Sequence, residues 1–234
     1  TRNTTTTNSF YGQYADLGGQ VYKTHSRNWS TNYQQRLDWS KSFGKHNVDA
    51  MVAHEGYRIY GYALSADKSN QYSPANDELD GAVVMGSASS YTTDYNTESW
   101  LGRAQYNYDD TYFLSLSYVR EASSMFHPDN RWGNFFSVGA SWNAKKENFL
   151  QDVECLNDLR VRASYGEVGN NAGVSLYAYQ ALYEIDKNGG NTALIKQTLA
   201  ASNIKWETTQ TVDFGVEGKL FDRLNFSIGY FDKR

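Results

Sequence analysis

The chain has 234 residues, a formal net charge of −4 and an aromatic content of 15%. No apolar run approaches the roughly 18 residues that a transmembrane helix needs, which excludes a helical membrane protein. The acidic balance argues against a nucleic-acid partner, which would require a basic face. The single cysteine, Cys155, excludes an intramolecular disulfide framework. The abundant aromatic residues and only 2 Pro favour long strands, in either a membrane β-barrel or a β-sandwich.

Eight segments alternate apolar and polar residues with a period of two, the pattern of strands with one apolar and one polar face. In 112–120, Leu114 and Leu116 share one parity, and Ser115 and Ser117 hold the other. The segments run about ten residues, the length that a tilted strand needs to cross a bilayer. The predicted strands are 33–43, 47–57, 99–108, 112–120, 135–144, 159–166, 206–217 and 224–231.

The polar faces of these strands carry ionic groups, whereas the apolar faces carry almost none. A wide, wet or plugged barrel lumen accepts such charges, and so does the solvent face of a sandwich, so alternation leaves both architectures open. The charged residues are Arg36, Asp38, Arg103, Arg160, Arg162, Asp213 and Glu217.

The connections between the strands separate the two architectures, because short and long ones alternate. The short ones are 44–46, 109–111, 145–158 and 219–223, and the long ones are 58–98, 121–134 and 167–205. Strict alternation places every long connection at one end of an up-and-down sheet. This is typical of outer-membrane barrels, with short periplasmic turns and long extracellular loops, and is not expected of a Greek-key sandwich. Within 145–158, residues 145–150 are predicted to form one helical turn.

No constellation of catalytic residues emerges. Asp77, Glu78 and Asp80 form an acidic group of the kind used in glycoside hydrolysis, but they lie in a loop with no identifiable partner. The glycine-rich stretch 166–170 follows a strand without a helix after it, so it fails the context test for a phosphate loop. The four His residues lack metal-ligand spacing. We therefore predict no enzyme, no cofactor and no metal site.

Longer stretches resemble a known family. Residues 101–120 read L-G-R-A-Q-Y-N-Y-D-D-T-Y-F-L-S-L-S-Y-V-R, which resembles a strand pair of the SusC/RagA family of TonB-dependent outer-membrane transporters. Two departures lie at loop edges: Arg120 is followed by Glu121-Ala122 where the family has Asp-Gly, and Ala201-Ser202-Asn203 replaces Asn-Pro. Further similar stretches occur in the family's order at 126–142, 156–170, 204–217 and 224–234, and a similar hairpin at 37–48.

The resemblance implies a barrel of about 22 strands with a plugged lumen, of which residues 1–234 supply about eight strands. The plug domain and the remaining strands are expected outside this stretch. The family resemblance further implies an importer of oligosaccharides or peptides in the outer membrane of a Gram-negative bacterium. Such an importer is expected to be surrounded by lipid, to work with a SusD-like surface lipoprotein and to draw energy from TonB.

In such a transporter, inward strand residues and long loops are expected to contact cargo. We predict Tyr91, Trp132 and Tyr177 as stacking surfaces for it. Two alternatives remain open, namely a soluble all-β carbohydrate-binding module and a glycosidase that uses the acidic loop. The tryptophans predicted to face outward, for anchoring at the membrane interface or for packing, are Trp39, Trp100, Trp142 and Trp206.

Overall fold

The structure is a computed structural model that describes residues 1–8 and 12–234. Within these residues the chain forms eleven strands and short helical turns. The turns are α1 (Asn148–Gln151) and three 3₁₀ helices, Gly12–Leu17, Leu79–Gly81 and Ala144–Lys146. The strands are β1 (Arg2–Asn8), β2 (Gln20–Phe43), β3 (His46–Gln71), β4 (Ala82–Tyr108), β5 (Tyr112–Ser123), β6 (Trp132–Asn143), β7 (Leu156–Asn170), β8 (Tyr183–Asn188), β9 (Asn191–Lys196), β10 (Glu207–Leu220) and β11 (Leu224–Lys233).

Nine of these strands form one sheet in the order β1-β2-β3-β4-β5-β6-β7-β10-β11, and β8 and β9 form a separate hairpin. Apart from that inserted hairpin, neighbours along the chain are neighbours in the sheet. This is the up-and-down antiparallel order of a barrel wall, so the predicted fold class is confirmed. A Greek-key sandwich would instead place strands from distant parts of the chain side by side.

All eight predicted strands are present, but the structure corrects their lengths and adds to them. β2, β3 and β4 contain 24, 26 and 27 residues. The segment 58–98, predicted as a loop, is mostly strand, and only 72–81 connects β3 to β4. Its apolar residues, among them Ile59, Tyr60, Val83 and Val84, fall on both parities, so a regular period-two pattern is missing although the backbone ladder continues. β1 is polar at every position, and β8 and β9, of six residues each, lie within the segment 167–205 that was predicted as a long loop.

The short turns have the backbone geometry that tight hairpins require. Asp109 and Asp110 adopt φ of 53° and 50°, and the Thr111 N–H donates to the Tyr108 carbonyl at 2.9 Å. Positive φ at both central residues defines a type I′ turn, whose twist matches that of the flanking strands. Asp tolerates this conformation better than most residues, which explains the Asp-Asp pair.

The longer link between β6 and β7 contains the predicted helical turn, which is thus confirmed. Ala144 is 1% exposed beneath it. The Lys145 ammonium donates to the carbonyls of Leu150 at 2.9 Å, Gln151 at 3.1 Å and Val153 at 2.9 Å. The last carbonyl groups of a helix lack hydrogen-bond donors within the helix. The Lys145 ammonium therefore supplies the missing donors at the C-terminal end of α1.

The chain divides into two compact units. The first comprises Thr1–Asn32 and Tyr57–Asn96, and the second Tyr33–Gly56 and Thr97–Arg234. The residues of β2, β3 and β4 are shared between the units.

Among the described residues, no helix has the length and apolar character needed to cross a membrane.

The first unit contains the buried Val21, which is 0% exposed, and a carboxylate that joins three strands. Asp67 of β3 accepts hydrogen bonds from the Gln20 side chain at 2.9 Å and from the Ser87 N–H at 2.9 Å, as well as from the Ser87 hydroxyl. The hydrogen bond from the Ser87 hydroxyl, followed by that from Gln20, lowers the pKa of Asp67. The ionised carboxylate thereby links β2, β3 and β4 at a level about twenty residues from the β2–β3 turn.

In the second unit, aromatic rings pack where β6 and β7 approach the long connections. Phe126 and Phe135 are 0% and 5% exposed, and both contact Trp206, with ring centroids at 5.1 and 5.7 Å. The Phe135 ring lies directly over Gly133 and Gly169. A Cβ added at Gly169 would lie 2.1 Å from the ring, so no other residue fits there without moving it. We call Phe126, Phe135 and Trp206 the loop-base cluster.

Gly169→Ala should lower the free energy of unfolding by about 1–3 kcal/mol, which is the usual cost of overpacking a filled site. The reason is that the new methyl group would displace the Phe135 ring. The measurement is thermal unfolding, in detergent, of the full-length protein that contains this chain. Gly166→Ala is the matched control on the same strand, since its Cβ would meet only the Ser137 Cβ, at 3.4 Å. Equal melting temperatures for the two variants would contradict the packing.

Candidate functional site

Strand register in the second unit gathers the apolar side chains onto one face, here called the apolar face. Leu116 pairs with Ala104 on one side and with Val138 on the other. Phe214 pairs in the same way with Ala163 and Tyr230. Further members of this face are Trp100, Tyr106, Tyr108, Tyr112, Leu114, Tyr118, Phe136, Ala140, Trp142, Val161, Tyr165, Val212, Val216, Phe226 and Ile228.

The apolar face is exposed: Leu116 is 47%, Phe214 50% and Ile228 70% accessible. These side chains therefore do not form a core within the described chain. An exposed apolar surface of this extent marks an interaction with a partner or a membrane. Between its two ends the paired members carry no charge, and the charged residues of the same parity, Glu98, Arg120 and Asp232, lie towards the long connections, which fits contact with hydrocarbon.

At the short-turn end, aromatic rings with polar partners border the apolar face. His46 stacks on Phe43 with ring centroids at 5.4 Å, and Tyr108 lies 4.9 Å from His46. The Glu147 carboxylate accepts a hydrogen bond from the Trp142 indole N–H at 3.2 Å. It also accepts one from the Tyr112 hydroxyl. Rings with an apolar body and a satisfied polar tip suit a boundary between hydrocarbon and water.

A second aromatic border lies at the opposite end of the same strands. Trp100 stacks on His54, with centroids at 4.2 Å and planes at 25°. The Arg120 guanidinium lies over the Trp132 ring at 4.8 Å. From Trp132 to Trp142 is ten residues, about 34 Å along the strand, or about 26 Å across a bilayer for a tilt of about 40°. This matches the apolar band of about 25 Å between the aromatic girdles of outer-membrane barrels.

Three predicted anchors have positions consistent with that prediction. Trp100 and Trp142 occupy the two aromatic borders of the apolar face. Trp39 of β2 is 51% exposed and shares its parity with Leu37, which is 74% exposed. Their anchoring role itself stays a prediction.

Trp206 and Trp132 lie near the long connections, at or just before the start of a strand. Trp206 precedes β10, so strand alternation does not set its direction. It packs in the loop-base cluster and donates from its indole to the Arg131 carbonyl at 2.8 Å. Trp132 pairs with Ala122, two residues along from Arg120, and therefore shares the parity of the apolar face. Trp206 thus packs, which is one of the two roles predicted for it, and Trp132 lies at the outer border of the apolar face, which does not favour its predicted contact with cargo.

The opposite face of the sheet, here called the polar face, contains an ion-pair network. Arg162 lies 3.4 Å from an Asp213 oxygen and 3.2 Å from a Glu217 oxygen. Gly215 pairs directly with Arg162, and a Cβ at Gly215 would lie 2.6 Å from the guanidinium Nε. The glycine therefore leaves the space in which the guanidinium lies between the two carboxylates. The sequence placed Arg162 on the polar face of one strand and Asp213 and Glu217 on the polar face of another. Only the strand register revealed that they pair.

The rest of the polar face is rich in hydrogen-bonding groups. Ser117 and Ser137 hydroxyls lie 2.6 Å apart on neighbouring strands. A shallow depression is lined by Asp49, Gln105 and Arg162, among others. Such a surface offers hydrogen-bonding and charged groups to polar solutes. In the described part of the chain, no group of three or more His, Cys, Asp or Glu residues is placed to hold a metal.

Outside the strands, a turn carboxylate at the short-turn end is held ionised. The Asn107 side-chain amide donates to Asp110 at 2.6 Å, and the Lys146 ammonium lies 3.6 Å from its carboxylate. The amide hydrogen bond and then the Lys146 charge lower the pKa of Asp110. This contact joins the turn after β4 to the link after β6.

The predicted cargo contacts other than Trp132 lie in different units. Tyr91 is on β4 in the first unit and is 64% exposed. Tyr177 is half-buried in the second unit, in a turn closed by the hydrogen bond from the Gln180 N–H to its carbonyl at 2.9 Å. In the acidic loop, the Glu78 carboxylate forms an ion pair with Lys23.

Known proteins resemble this chain in both sequence and fold. The chain is 31% identical to TonB-dependent receptor P3 of Formosa agariphila, over 93% of this chain and 22% of that protein. It is 29% identical to TonB-dependent receptor SusC of Bacteroides thetaiotaomicron, over 97% of this chain and 22% of that protein. The chain thus spans about a fifth of the length of these curated relatives.

The solved structure of the RagAB peptide importer in its closed-closed state superposes with a TM-score of 0.84 at 24% identity. The superposition covers 92% of this chain and 24% of the matching chain of the importer. The open-open state of the same importer gives a TM-score of 0.82. At this identity the likeness concerns the fold. The family described as TonB dependent receptor-like, beta-barrel matches residues 1–234. The chain therefore belongs to the TonB-dependent receptor β-barrel family.

Proposed function

We propose that this chain is part of the barrel wall of an outer-membrane, TonB-dependent importer of oligosaccharides or peptides in a Gram-negative bacterium. The observation that carries the proposal is the two-faced sheet of the second unit. One face is apolar, exposed and bordered by aromatic rings about a membrane thickness apart. The other bears the Arg162–Asp213–Glu217 network and serine hydroxyls.

In this proposal the apolar face meets lipid and the polar face lines the lumen. The short turns lie in the periplasm, and the connections 72–81, 124–131 and 171–206 lie outside the cell. A tilted strand crosses a bilayer in about ten residues, so β4, with 27 residues, is longer than the crossing alone requires.

The partners follow from the family. Energy would come from TonB, acting on a plug domain outside this stretch of sequence, and a SusD-like lipoprotein would cover the extracellular mouth. The likeness to RagAB, described as a peptide importer, supports a peptide cargo. The SusC/RagA resemblance supports a partner lipoprotein. Hydrogen-bonding and charged groups on the polar face suit either a peptide or an oligosaccharide.

We retain Tyr91 and Tyr177 as proposed cargo contacts on the extracellular side. Trp132 leaves this group because of its position on the apolar face. The soluble carbohydrate-binding module has little support, since it would leave an extensive apolar surface in water.

Uptake measurements test the cargo and its contacts. A strain that lacks the full-length gene should lose uptake of either labelled peptides or labelled oligosaccharides, and the complemented strain should regain it. Tyr91→Ala or Tyr177→Ala should raise the half-saturating concentration several-fold, because an aromatic contact contributes roughly 1 kcal/mol. Tyr91→Phe and Tyr177→Phe keep the ring and should transport normally. Unchanged uptake in the deletion strain would contradict the importer.

Spin labels test the two faces at neighbouring positions. In a Cys155→Ser background of the full-length protein in bilayers, labels at Leu116→Cys and Ser117→Cys should respond oppositely. The first should be relaxed by oxygen dissolved in lipid, and the second by a water-soluble nickel chelate. Equal access of the chelate to both positions would show that the apolar face does not meet lipid.

Arg162→Gln tests whether the polar face is wet. Arg162 and Glu217 are 46% and 44% exposed, so losing these ion pairs should cost less than about 1 kcal/mol. In a dry interior, breaking such a pair would cost about 3–5 kcal/mol. Denaturant unfolding of the full-length protein distinguishes these values. Arg103→Gln, on the same face, is the matched control.

A further inference from the structure

We propose that Arg120 and Trp132 form a binding site on the apolar face for the phosphate of an outer-leaflet lipid head group. This inference rests on the proposed function, because it requires the apolar face to lie in the outer membrane. The site concerns the outer surface of the wall, whereas cargo import concerns the polar face and the loops.

Arg120 faces the lipid side of the sheet. It pairs with Trp100 on β4 and with Asn134 on β6, both of the apolar parity. It lies eight residues from Tyr112, at the other border of the band, or about 27 Å along β5. At a tilt of about 40° this is about 21 Å across the bilayer, near the outer edge of an apolar band of about 25 Å, and a long arginine side chain extends from there to the outer-leaflet head groups.

The guanidinium lies over an aromatic ring, and no carboxylate among the described residues forms an ion pair with it. Its Cζ lies 4.8 Å from the Trp132 ring centroid. Among the described residues, the Arg120 guanidinium forms no hydrogen bond or ion pair. Arg58, in contrast, pairs with Asp94, and Arg162 pairs with Asp213. An arginine stacked through its flat face keeps its N–H donors available around the edge. That edge matches the oxygens of a phosphate group.

The surroundings favour a lipid over a free anion. Below Arg120, Tyr118 and Phe136 are both 48% exposed on the apolar face, where acyl chains would lie. The Tyr118 hydroxyl donates to the Asn134 side chain at 2.8 Å. The nearest acid of the same parity on β4, Glu98, contacts Trp100 and His54 at 3.2 and 3.3 Å. The Arg120 guanidinium therefore lies next to an exposed apolar surface. The cation suits the head group of an anionic lipid, and the apolar surface suits its acyl chains.

The test uses the full-length protein in mild detergent and native mass spectrometry. Purified phosphorylated glycolipid is added, and the same glycolipid with its phosphates removed is added in parallel. The wild type should retain the phosphorylated form in preference to the other. Arg120→Gln should lower retention about tenfold, because hydrogen bonds to charged groups contribute about 1.5–3 kcal/mol. Arg120→Lys, which keeps the charge but loses the planar fork, should fall between them.

Arg160→Gln is the matched control. Arg160 also lies over an aromatic ring, at 6.0 Å from Phe113, but on the polar face. The Arg160→Gln variant should retain the phosphorylated lipid as well as the wild type does. Trp132→Leu keeps apolar bulk and removes the stacking ring, so retention should fall several-fold. If Arg120→Gln misfolds, as shown by loss of its heat-dependent gel shift, Arg120→Lys and Trp132→Leu decide the question.

Equal retention by the wild type, Arg120→Gln and Trp132→Leu would overturn the site, and so would equal binding of the phosphate-free lipid. Membrane fractionation and uptake separate this from failure of the importer. If the protein fractionates with the outer membrane and imports cargo, but its Arg120→Gln variant still retains the lipid, only the lipid-site proposal is refuted. If the protein is absent from the outer membrane fraction, the proposed function is refuted as well.

Discussion

The antiparallel register of the strands is the constraint on which the rest of the structure depends. Because side chains alternate with a period of two, one consistent register turns separate alternating segments into two continuous faces. Leu116, Val138 and Ala104 meet across three strands only in this register. A slip of one strand by one residue would move its apolar side chains to the face that carries the serines and charged residues. The type I′ turn at Asp109-Asp110 helps to set that register, since its geometry leaves a single pairing of β4 with β5.

Glycines adapt this regular sheet to large side chains. Opposite Arg162, Gly215 leaves room for a guanidinium between two carboxylates, and Gly169 with Gly133 leaves room for the Phe135 ring. The first arrangement organises charge on the polar face. The second builds a small packed core where the sheet passes into the long connections. Because few large side chains are buried elsewhere, local order near the loops depends strongly on that cluster.

The two borders of the apolar face differ in charge. At the short-turn border, the Glu147 carboxylate collects the polar tips of Tyr112 and Trp142. At the opposite border, the Glu98 carboxylate accepts a hydrogen bond from the Trp100 indole N–H, and Arg120 lies over Trp132. Both borders thus place a carboxylate beside a tryptophan, and the border near the long connections adds a stacked arginine. This cation, together with connection length, distinguishes one end of the wall from the other.

The sequence by itself determined the strands of the second unit, their two faces, the tight turns and the family, because alternation and turn residues are local properties of the chain. It could not reveal that β2–β4 continue through 58–98 or that β8 and β9 pair, because apolar residues in 58–98 fall on both parities, β8 and β9 are short, and the pairing depends on contacts between strands, such as those of Asp67 with Gln20 and Ser87. Only the tertiary structure decided which side Trp132 and Trp206 occupy and which carboxylates Arg162 meets. Those outcomes depend on where strands begin and which residues lie opposite, and these are set by contacts between distant parts of the chain.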